Sequence, residues 1–138
     1  LRVYTAQADA RSPAVGEVDM VFLDVPCTGT GTLRRSPDVR WKVTPARLAA
    51  LTALQERILH VCAEAVPKGG ILVYSTCSLE PEENEDQIAA FLRKHPDFRV
   101  EAGSGVDERY LDGLGQLCVL PQSFGFDGTF AARLRRSR

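Results

Sequence analysis

A chain of 138 residues with 44% hydrophobic and 25% charged residues has the composition of an ordinary folded domain, which excludes the disordered, collagenous and disulfide-scaffold classes. Its net charge of −1 excludes a nucleic-acid binder that works by overall charge, so such a role would need local clusters of cations. The sequence has no apolar run of about 20 residues and no signal-peptide core, and we therefore expect a cytoplasmic protein without membrane contact.

Two runs near the N-terminus predict buried strands of a parallel sheet: the short β-like run Leu1 to Ala8 and the apolar, β-branched run Val18 to Val25. Each run carries an acidic residue at its end, since Asp9 follows the first and Asp24 closes the second. In an open α/β sheet, ligands bind outside the carboxyl ends of the strands. Both carboxylates are therefore candidate functional groups.

The segment from Cys27 to Val43 is rich in glycine, threonine and arginine and has no hydrophobic period, which is unusual for a loop unless it is functional. Its cations surround Trp41 and are Arg34, Arg35, Arg40 and Lys42. An RNA-binding surface and a solvated face with a core tryptophan are both compatible with this pattern. A second cationic cluster, typical of a solvated tail, comprises Arg133, Arg135, Arg136 and Arg138.

Thr44 and Pro45 predict the start of a helix, because threonine is a favoured N-cap and proline suits the first helical position. One apolar stripe follows at helical spacing and comprises Leu48, Leu51, Leu54, Ile58, Cys62 and Ala65. The glycine pair at 69–70 ends this helix. The continuous apolar run Ile71 to Tyr74 then predicts another buried strand.

Pro81 opens a second predicted helix, which stops near Pro96. The apolar residues that it buries are Ile88, Phe91 and Leu92. Its first turns contain Asn84 and three glutamates, which are Glu82, Glu83 and Glu85. A carboxylate near a helix N-terminus stabilises the helix dipole by roughly a few tenths of a kcal/mol. We therefore interpret these glutamates as capping residues.

Three shorter runs separated by glycine-rich turns are candidate strands, namely Phe98 to Glu101, Cys118 to Leu120 and Thr129 to Leu134. The last two predict a closing antiparallel hairpin. Continuous apolar strands that alternate with helices predict an α/β fold with a mainly parallel sheet. The chemistry is expected outside the carboxyl ends of the strands.

The four cysteines are widely spaced and lack C-x-x-C spacing, so we expect free thiols and no bound metal. Cys27 and Cys77 each follow a predicted strand, which makes them candidates for one site where a thiolate acts as nucleophile. From spacing alone, a small buried residue remains an open interpretation for both. Cys62 and Cys118 fall on apolar patterns and are interpreted as core residues.

Four motifs occur in order along the chain: FLDVPCTG at Phe22–Gly29, RSPDVRW at Arg35–Trp41, VYSTCSL at Val73–Leu79 and PEENE at Pro81–Glu85. In sequence and spacing they resemble the Fmu/Sun (NOP2/Sun-type) family of S-adenosylmethionine-dependent RNA (cytosine-5) methyltransferases. The resemblance spans nearly the whole chain, including 120–122 and the turn at 127–128. It implies a Rossmann-like class I methyltransferase fold and an RNA substrate, with ribosomal RNA as the first candidate and transfer RNA as the second.

The resemblance also implies roles for individual residues. Cys77 matches the family nucleophile, which attacks carbon 6 of the target cytosine so that carbon 5 can take the methyl group. Cys27 matches the second cysteine, which is associated with resolving the covalent adduct. Asp24 matches the acid that contacts the target base and borders the methyl donor, while Asp9 and Pro26 match positions at the cofactor.

Physical chemistry agrees with these implied roles. An uncharged cytosine is a poor electrophile, so a hydrogen-bonding carboxyl group such as Asp24 should lower the barrier to thiolate addition. Enzymes that act on a base take it out of its stack, and aromatic and arginine side chains can hold single-stranded or looped RNA. Trp41 within its basic cluster suits that purpose.

The family's glycine-rich cofactor loop and any N-terminal RNA-binding domain would precede Leu1. We therefore expect residues 1–138 to be part of a catalytic domain with an incomplete S-adenosylmethionine site, inactive in isolation. An apolar sheet edge left by missing strands predicts self-association. Two alternatives remain. A non-catalytic RNA-binding module would not need both cysteines, and a thiol redox protein would be expected to carry a C-x-x-C motif.

Overall fold

The computed structural model describes residues 2–137, which contain five strands and three α-helices. In chain order they are β1 (Met20–Asp24), α1 (Pro45–Ala63), β2 (Ile71–Thr76), α2 (Glu85–Lys94), β3 (Phe98–Val100), β4 (Leu117–Val119), α3 (Pro121–Phe124) and β5 (Thr129–Arg136). Short 3-10 helices lie at Thr30–Thr32, Pro37–Trp41, Pro81–Glu83 and Glu108–Tyr110. No helix among residues 2–137 is long and apolar enough to cross a membrane.

The five strands form one mixed sheet in the order β1-β2-β5-β3, with β4 also paired to β5. β1 and β2 are parallel, whereas β5 is antiparallel to each of its neighbours β2, β3 and β4. The predicted α/β class is confirmed, with its parallel part in the β1-β2 ladder. The antiparallel closure by β4 and β5 is also confirmed, with Cys118 opposite Phe130.

The hydrophobic core lies on one face of the sheet, beneath α1 and α2. Alternate residues of β2 and β5 point into it, including Leu72, Tyr74 and Ala132, which are fully buried. Helix α1 begins as predicted, because the Thr44 side chain accepts a hydrogen bond from the N–H of Arg47 at 3.1 Å. This packing fixes β1 and β2 as a rigid base for the loops that follow them.

The prediction of a strand at Leu1 to Ala8 is wrong for the residues that the structure describes, and Leu1 lies outside them. Residues 2–8 are exposed and have no strand assignment. A β-like sequence becomes a strand only when a neighbour accepts its backbone hydrogen bonds. Within 2–137, β1 pairs only with β2, and its Met20 and Phe22 side chains are 54% and 64% exposed.

The prediction of a solvated C-terminal tail is also wrong for three of its four arginines, which lie on β5. Arg133 and Arg135 donate to Glu101 at 2.6 and 2.9 Å, and Arg136 donates to Asp97 at 2.7 Å. These ion pairs join β5 to the segment around β3. Arg138 lies outside the described residues.

Candidate active site

The carboxyl ends of β1 and β2 bring Cys27 and Cys77 together. Asp24 lies opposite Ser75 in the parallel ladder, and the N–H of Val25 donates to the carbonyl oxygen of Ser75 at 3.1 Å. Just beyond these ends the two Sγ atoms lie 3.3 Å apart, although fifty positions separate the cysteines. Both are free, half-buried thiols, and the structure places them in one site.

The remaining cysteines lie away from this pair. Cys62 is buried on α1, and its thiol donates to the carbonyl oxygen of Ala10 at 3.6 Å. Cys118 is half-buried in β4. Burial raises the pKa of both thiols, which keeps them protonated and unreactive at neutral pH.

The environment of Cys27 makes it a thiol rather than a thiolate. Burial raises its pKa to about 12, and the hydrogen bond with Cys77 acts in the same direction. A neutral thiol is a poor nucleophile, but it can donate its S–H to a neighbouring sulfur. The 3.3 Å contact therefore fits Cys27 as the S–H donor and the sulfur of Cys77 as the acceptor.

A buried group of hydroxyls joins the two cysteine loops directly beneath the thiols. Thr28 follows Cys27 in sequence and Ser78 follows Cys77, and their Oγ atoms lie 3.1 Å apart. Thr30 extends the group, with its Oγ1 3.3 Å from that of Ser78 and 2.8 Å from the donating N–H of Leu79. Each of the two cysteine loops is thus anchored through the residue next to its cysteine.

The structure contradicts the interpretation of Glu83 as a capping residue. Its side chain is completely buried and accepts from the N–H of Thr28 at 2.9 Å and from the Thr28 hydroxyl at 2.5 Å. Gln55 of α1 donates to the same carboxylate at 2.9 Å. Glu82 and Glu85 are exposed, in keeping with their predicted role. No local sequence signal separates Glu83 from them, because all three suit the first turn of a helix.

Asp24 is the exposed carboxylate at the edge of this site. It closes β1 three positions before Cys27, and its Oδ1 accepts from the hydroxyl of Ser75 at 3.1 Å. Pro26 is exposed next to it, with its carbonyl oxygen held by the amide of Gln55 at 2.9 Å. The second carboxylate oxygen of Asp24 has no hydrogen-bond partner among residues 2–137, so it is free to contact a ligand.

Asp9 has a different environment from Asp24. Both of its carboxylate oxygens accept from the guanidinium of Arg11, at 3.0 and 2.6 Å, and these hydrogen bonds lower the pKa of Asp9 to about 2. Within the described chain, no hydrogen bond connects Asp9 to the cysteine loops. The residues present thus fit one side of an S-adenosylmethionine site, at Asp24 and Pro26, whereas Asp9 would first have to release Arg11.

The predicted basic surface is exposed, and the alternative of a core tryptophan is excluded. The Trp41 side chain is 81% exposed, with the Arg40 guanidinium 5.8 Å from its ring centroid. Arg34 and Arg35 pair with Asp127 of the turn before β5, and Lys42 pairs with Asp38. These contacts fix the loop while leaving most of the indole exposed.

Comparison with known proteins identifies the family of the chain. The family model described as 16S rRNA methyltransferase RsmB/F matches residues 1–135. A probable ribosomal RNA small subunit methyltransferase B from Synechocystis sp. is 45% identical over 91% of the chain and 29% of its own length. The ribosomal RNA small subunit methyltransferase B of Thermus thermophilus is 41% identical over 99% of the chain and 34% of its own length. The chain thus spans about a third of these relatives.

Solved structures give the same result. One solved structure is that of NSun6 from Pyrococcus horikoshii with SFG, an S-adenosylmethionine analogue. The superposition covers 96% of the present chain and 34% of the NSun6 chain, with a TM-score of 0.82 and 30% sequence identity. The superposition on a methyltransferase homologue from the same organism covers 88% of the present chain and 40% of the homologue, with a TM-score of 0.70 and 32% sequence identity. These similarities confirm the predicted Rossmann-like fold. The chain belongs to the RsmB/F family of 16S rRNA methyltransferases.

Proposed function

We propose that this chain is the catalytic segment of an RNA (cytosine-5) methyltransferase that acts on ribosomal RNA with S-adenosylmethionine as methyl donor. The observation that carries the proposal is the pair of thiols at the carboxyl ends of adjacent parallel strands, 3.3 Å apart and beside the exposed carboxylate of Asp24. The names of the relatives support ribosomal RNA as the substrate. Transfer RNA is the second candidate.

In this proposal Cys77 supplies the nucleophile. Its thiolate forms a bond to carbon 6 of cytosine, and the electron pair of the C5–C6 double bond moves to carbon 5. The Asp24 carboxyl group at the polar edge of the base favours this addition by hydrogen bonding. The cofactor supplies an electrophilic methyl group for carbon 5, and Asp24 and Pro26 are the residues in this chain that would hold it.

Cys27 acts in the release of the product. A base removes the proton from carbon 5, that C–H electron pair restores the double bond, and the bond between carbon 6 and the Cys77 sulfur breaks. The sulfur leaves as a thiolate, which carries a full negative charge. Because Cys27 is a neutral thiol 3.3 Å away, it can donate its S–H to the departing sulfur and stabilise that charge.

The exposed basic loop supplies the RNA contacts. The indole of Trp41 can stack on an unstacked base, and the cations around it can contact phosphates. These residues are Arg34, Arg35, Arg40 and Lys42. Net charge over the whole chain is −1, so attraction for RNA has to come from this local surface.

The proposal extends to the open face of β1. The exposed apolar side chains of Met20 and Phe22 support self-association of the isolated chain through this edge. Light scattering at high concentration tests it: a dimeric mass is expected, and it should revert to the monomer in Phe22→Lys. A monomeric mass of the unaltered chain contradicts the proposal.

Trapping of the covalent adduct tests the chemistry. A methyltransferase of the relatives' full length that carries this chain is incubated with S-adenosylmethionine and RNA containing 5-fluorocytosine. In this base fluorine replaces the hydrogen that has to leave carbon 5 as a proton, so the adduct cannot be released. Mass spectrometry should find a protein–RNA adduct that is lost in Cys77→Ala and retained in Cys27→Ala. Cys118→Ala is the matched control and should behave like the parent. An adduct that persists without Cys77 overturns the assignment.

A further inference from the structure

The hydroxyls beneath the thiols form a chain with one direction. Thr30 Oγ1 accepts from the N–H of Leu79 at 2.8 Å and donates its own proton to Ser78 Oγ, 3.3 Å away. Ser78 Oγ also accepts from the N–H of Glu80 at 3.0 Å and donates to Thr28, at 3.1 Å. The Thr28 hydroxyl then donates to Glu83 at 2.5 Å. Since each hydroxyl has a single proton, the acceptor at the end of the chain determines the direction of every bond.

That acceptor, the Glu83 carboxylate, is held from several sides. It is completely buried, and among residues 2–137 no lysine, arginine or histidine forms an ion pair with it. The amide of Gln55 donates to Oε1, and the hydroxyl of Tyr74 donates to the Glu83 backbone carbonyl at 2.7 Å. A buried carboxylate is unfavourable unless its hydrogen bonds are satisfied. The buried Glu83 carboxylate is therefore stabilised by the hydrogen bonds that its partners donate.

The hydrogen bonds of the Glu83 side chain connect it to a distant loop and not to its own helix. The side chain caps no N–H of α2 and instead binds Thr28, which lies 55 positions away and directly follows Cys27. Both the N–H and the hydroxyl of Thr28 are fixed by the one carboxylate. The backbone at Cys27 is thereby oriented relative to the loop of Cys77.

We propose that Glu83 is a positioning residue that holds Cys27 against Cys77 through Thr28 and thereby sets the rate at which the covalent adduct is released. The inference rests on the proposed function, which assigns Cys27 to that release. Glu83 is completely buried and would therefore act without contacting the RNA. Loss of the carboxylate should leave adduct formation by Cys77 intact while it slows the step in which Cys27 donates to the departing sulfur.

The position of the thiols can be measured without any methyl transfer. In a chain carrying Cys62→Ala and Cys118→Ala, the remaining pair is equilibrated with reduced and oxidised glutathione. Two electrons pass from the pair to glutathione disulfide, which gives one protein disulfide and two glutathione thiols. The equilibrium constant reports the effective concentration of one thiol at the other. Glu83→Gln should lower it at least about tenfold, since a buried hydrogen bond to a carboxylate is lost.

Matched variants separate positioning from general destabilisation. Glu82→Gln makes the same substitution at the exposed neighbouring position and should leave the effective concentration unchanged. Thr28→Val removes the donor hydroxyl with little change of shape and should lower the effective concentration. Thr28→Ser keeps a hydroxyl at this position and should retain the parental effective concentration. This last pair keeps the test decisive if Glu83→Gln fails to fold. Equal effective concentrations in the parent, Glu83→Gln and Thr28→Val overturn the inference.

Kinetics of the full-length methyltransferase link the geometry to release. Glu83→Gln should lower kcat and the KM for RNA together and leave kcat/KM unchanged, because adduct formation is intact, and the adduct with unmodified cytosine RNA should accumulate. Unchanged release in a variant with a lowered thiol effective concentration overturns the role in release. If the parent forms no RNA adduct, the proposed function fails, and the thiol equilibrium then decides the positioning of Cys27 separately.

Discussion

Gly31 and Gly128 meet backbone to backbone beneath the basic loop. The N–H of Gly128 donates to the carbonyl oxygen of Gly31 at 2.8 Å, and the N–H of Gly31 donates to the carbonyl oxygen of Cys77 at 2.9 Å. A Cβ added to Gly31 would overlap the carbonyl oxygen of Gly128 and lie 2.8 Å from that of Cys77. Two loops and the turn before β5 thus converge where only a glycine fits.

Gly31→Ala should therefore destabilise the fold and displace Cys77. Overpacking of a well-packed site destabilises by about 1–3 kcal/mol, and the neighbours here are backbone atoms that cannot rotate away. Urea unfolding followed by circular dichroism measures the loss. Gly16→Ala is the control, because a Cβ at Gly16 meets no atom within 4 Å. A Gly31→Ala midpoint equal to that of the parent contradicts the packing argument.

The thiol of Cys27 should react slowly with alkylating agents. Its pKa of about 12 leaves very little thiolate at pH 8, whereas an unperturbed cysteine ionises near pH 9. Iodoacetamide labelling followed by peptide mass spectrometry should show a rate at least about tenfold below that of an unstructured cysteine peptide, even after allowance for higher intrinsic nucleophilicity. Unfolding in urea should abolish the difference.

The same raised pKa predicts how stability changes in alkali. Between pH 9 and 12 the unfolded chain loses the Cys27 proton while the folded chain retains it. The stabilisation is complete below pH 9 and is lost as pH rises towards 12. Cys27→Ala should therefore show a shallower decline of unfolding free energy in this range than the parent. Parallel declines in the two proteins would show that Cys27 is not responsible.

The elements that sequence predicted best are those with local signals. Thr44 and Pro45 mark the start of α1 because the cap is formed within one helical turn. The convergence of Cys27 and Cys77 followed from a non-local rule, since parallel neighbours place their carboxyl ends at the same edge. The first rule depends on neighbouring residues in the sequence, and the second depends on the chain order of the strands.

The failures share one cause, which is dependence on a partner that local sequence does not specify. Glu83 resembles its exposed neighbours until Thr28 and Gln55 are placed around it. The segment at 2–8 has strand-like residues but no described strand to pair with. Arg133 and Arg135 looked like a tail because Glu101, their counterion, lies more than thirty positions away.

Trp41 should matter for RNA binding and hardly at all for stability. The side chain is 81% exposed, so Trp41→Ala should change the free energy of unfolding by less than about 0.5 kcal/mol. Loss of a stacked base should weaken binding of a single-stranded RNA by about 1–3 kcal/mol. Fluorescence anisotropy with labelled RNA measures this in the full-length methyltransferase.

A matched control separates stacking from exposure alone. Tyr4 is 84% exposed and lies outside the basic loop, so Tyr4→Ala should leave the RNA affinity unchanged. Equal losses of affinity in the two variants would count against a specific role for Trp41.

The contact between His60 and His95 should make the fold sensitive to mild acid. His60 Nδ1 lies 2.6 Å from His95 Nε2, an arrangement that needs one donor and one acceptor, so double protonation breaks it. Burial, with the nearby charges of His95 and Lys94, lowers the pKa of His60 below its usual 6.5, and Glu56 opposes this shift. The unfolded chain therefore binds a proton first as pH falls.

The resulting stability is complete above pH 6.5 and is lost as pH falls through the lower pKa of the folded state. His60→Asn removes the titrating ring, so its unfolding free energy should decline less between pH 7 and 5 than that of the parent. Glu56→Gln removes the carboxylate that raises the His60 pKa and should steepen the decline. Urea titrations at several pH values measure both slopes, and a parental slope in His60→Asn would assign the acid sensitivity to other groups.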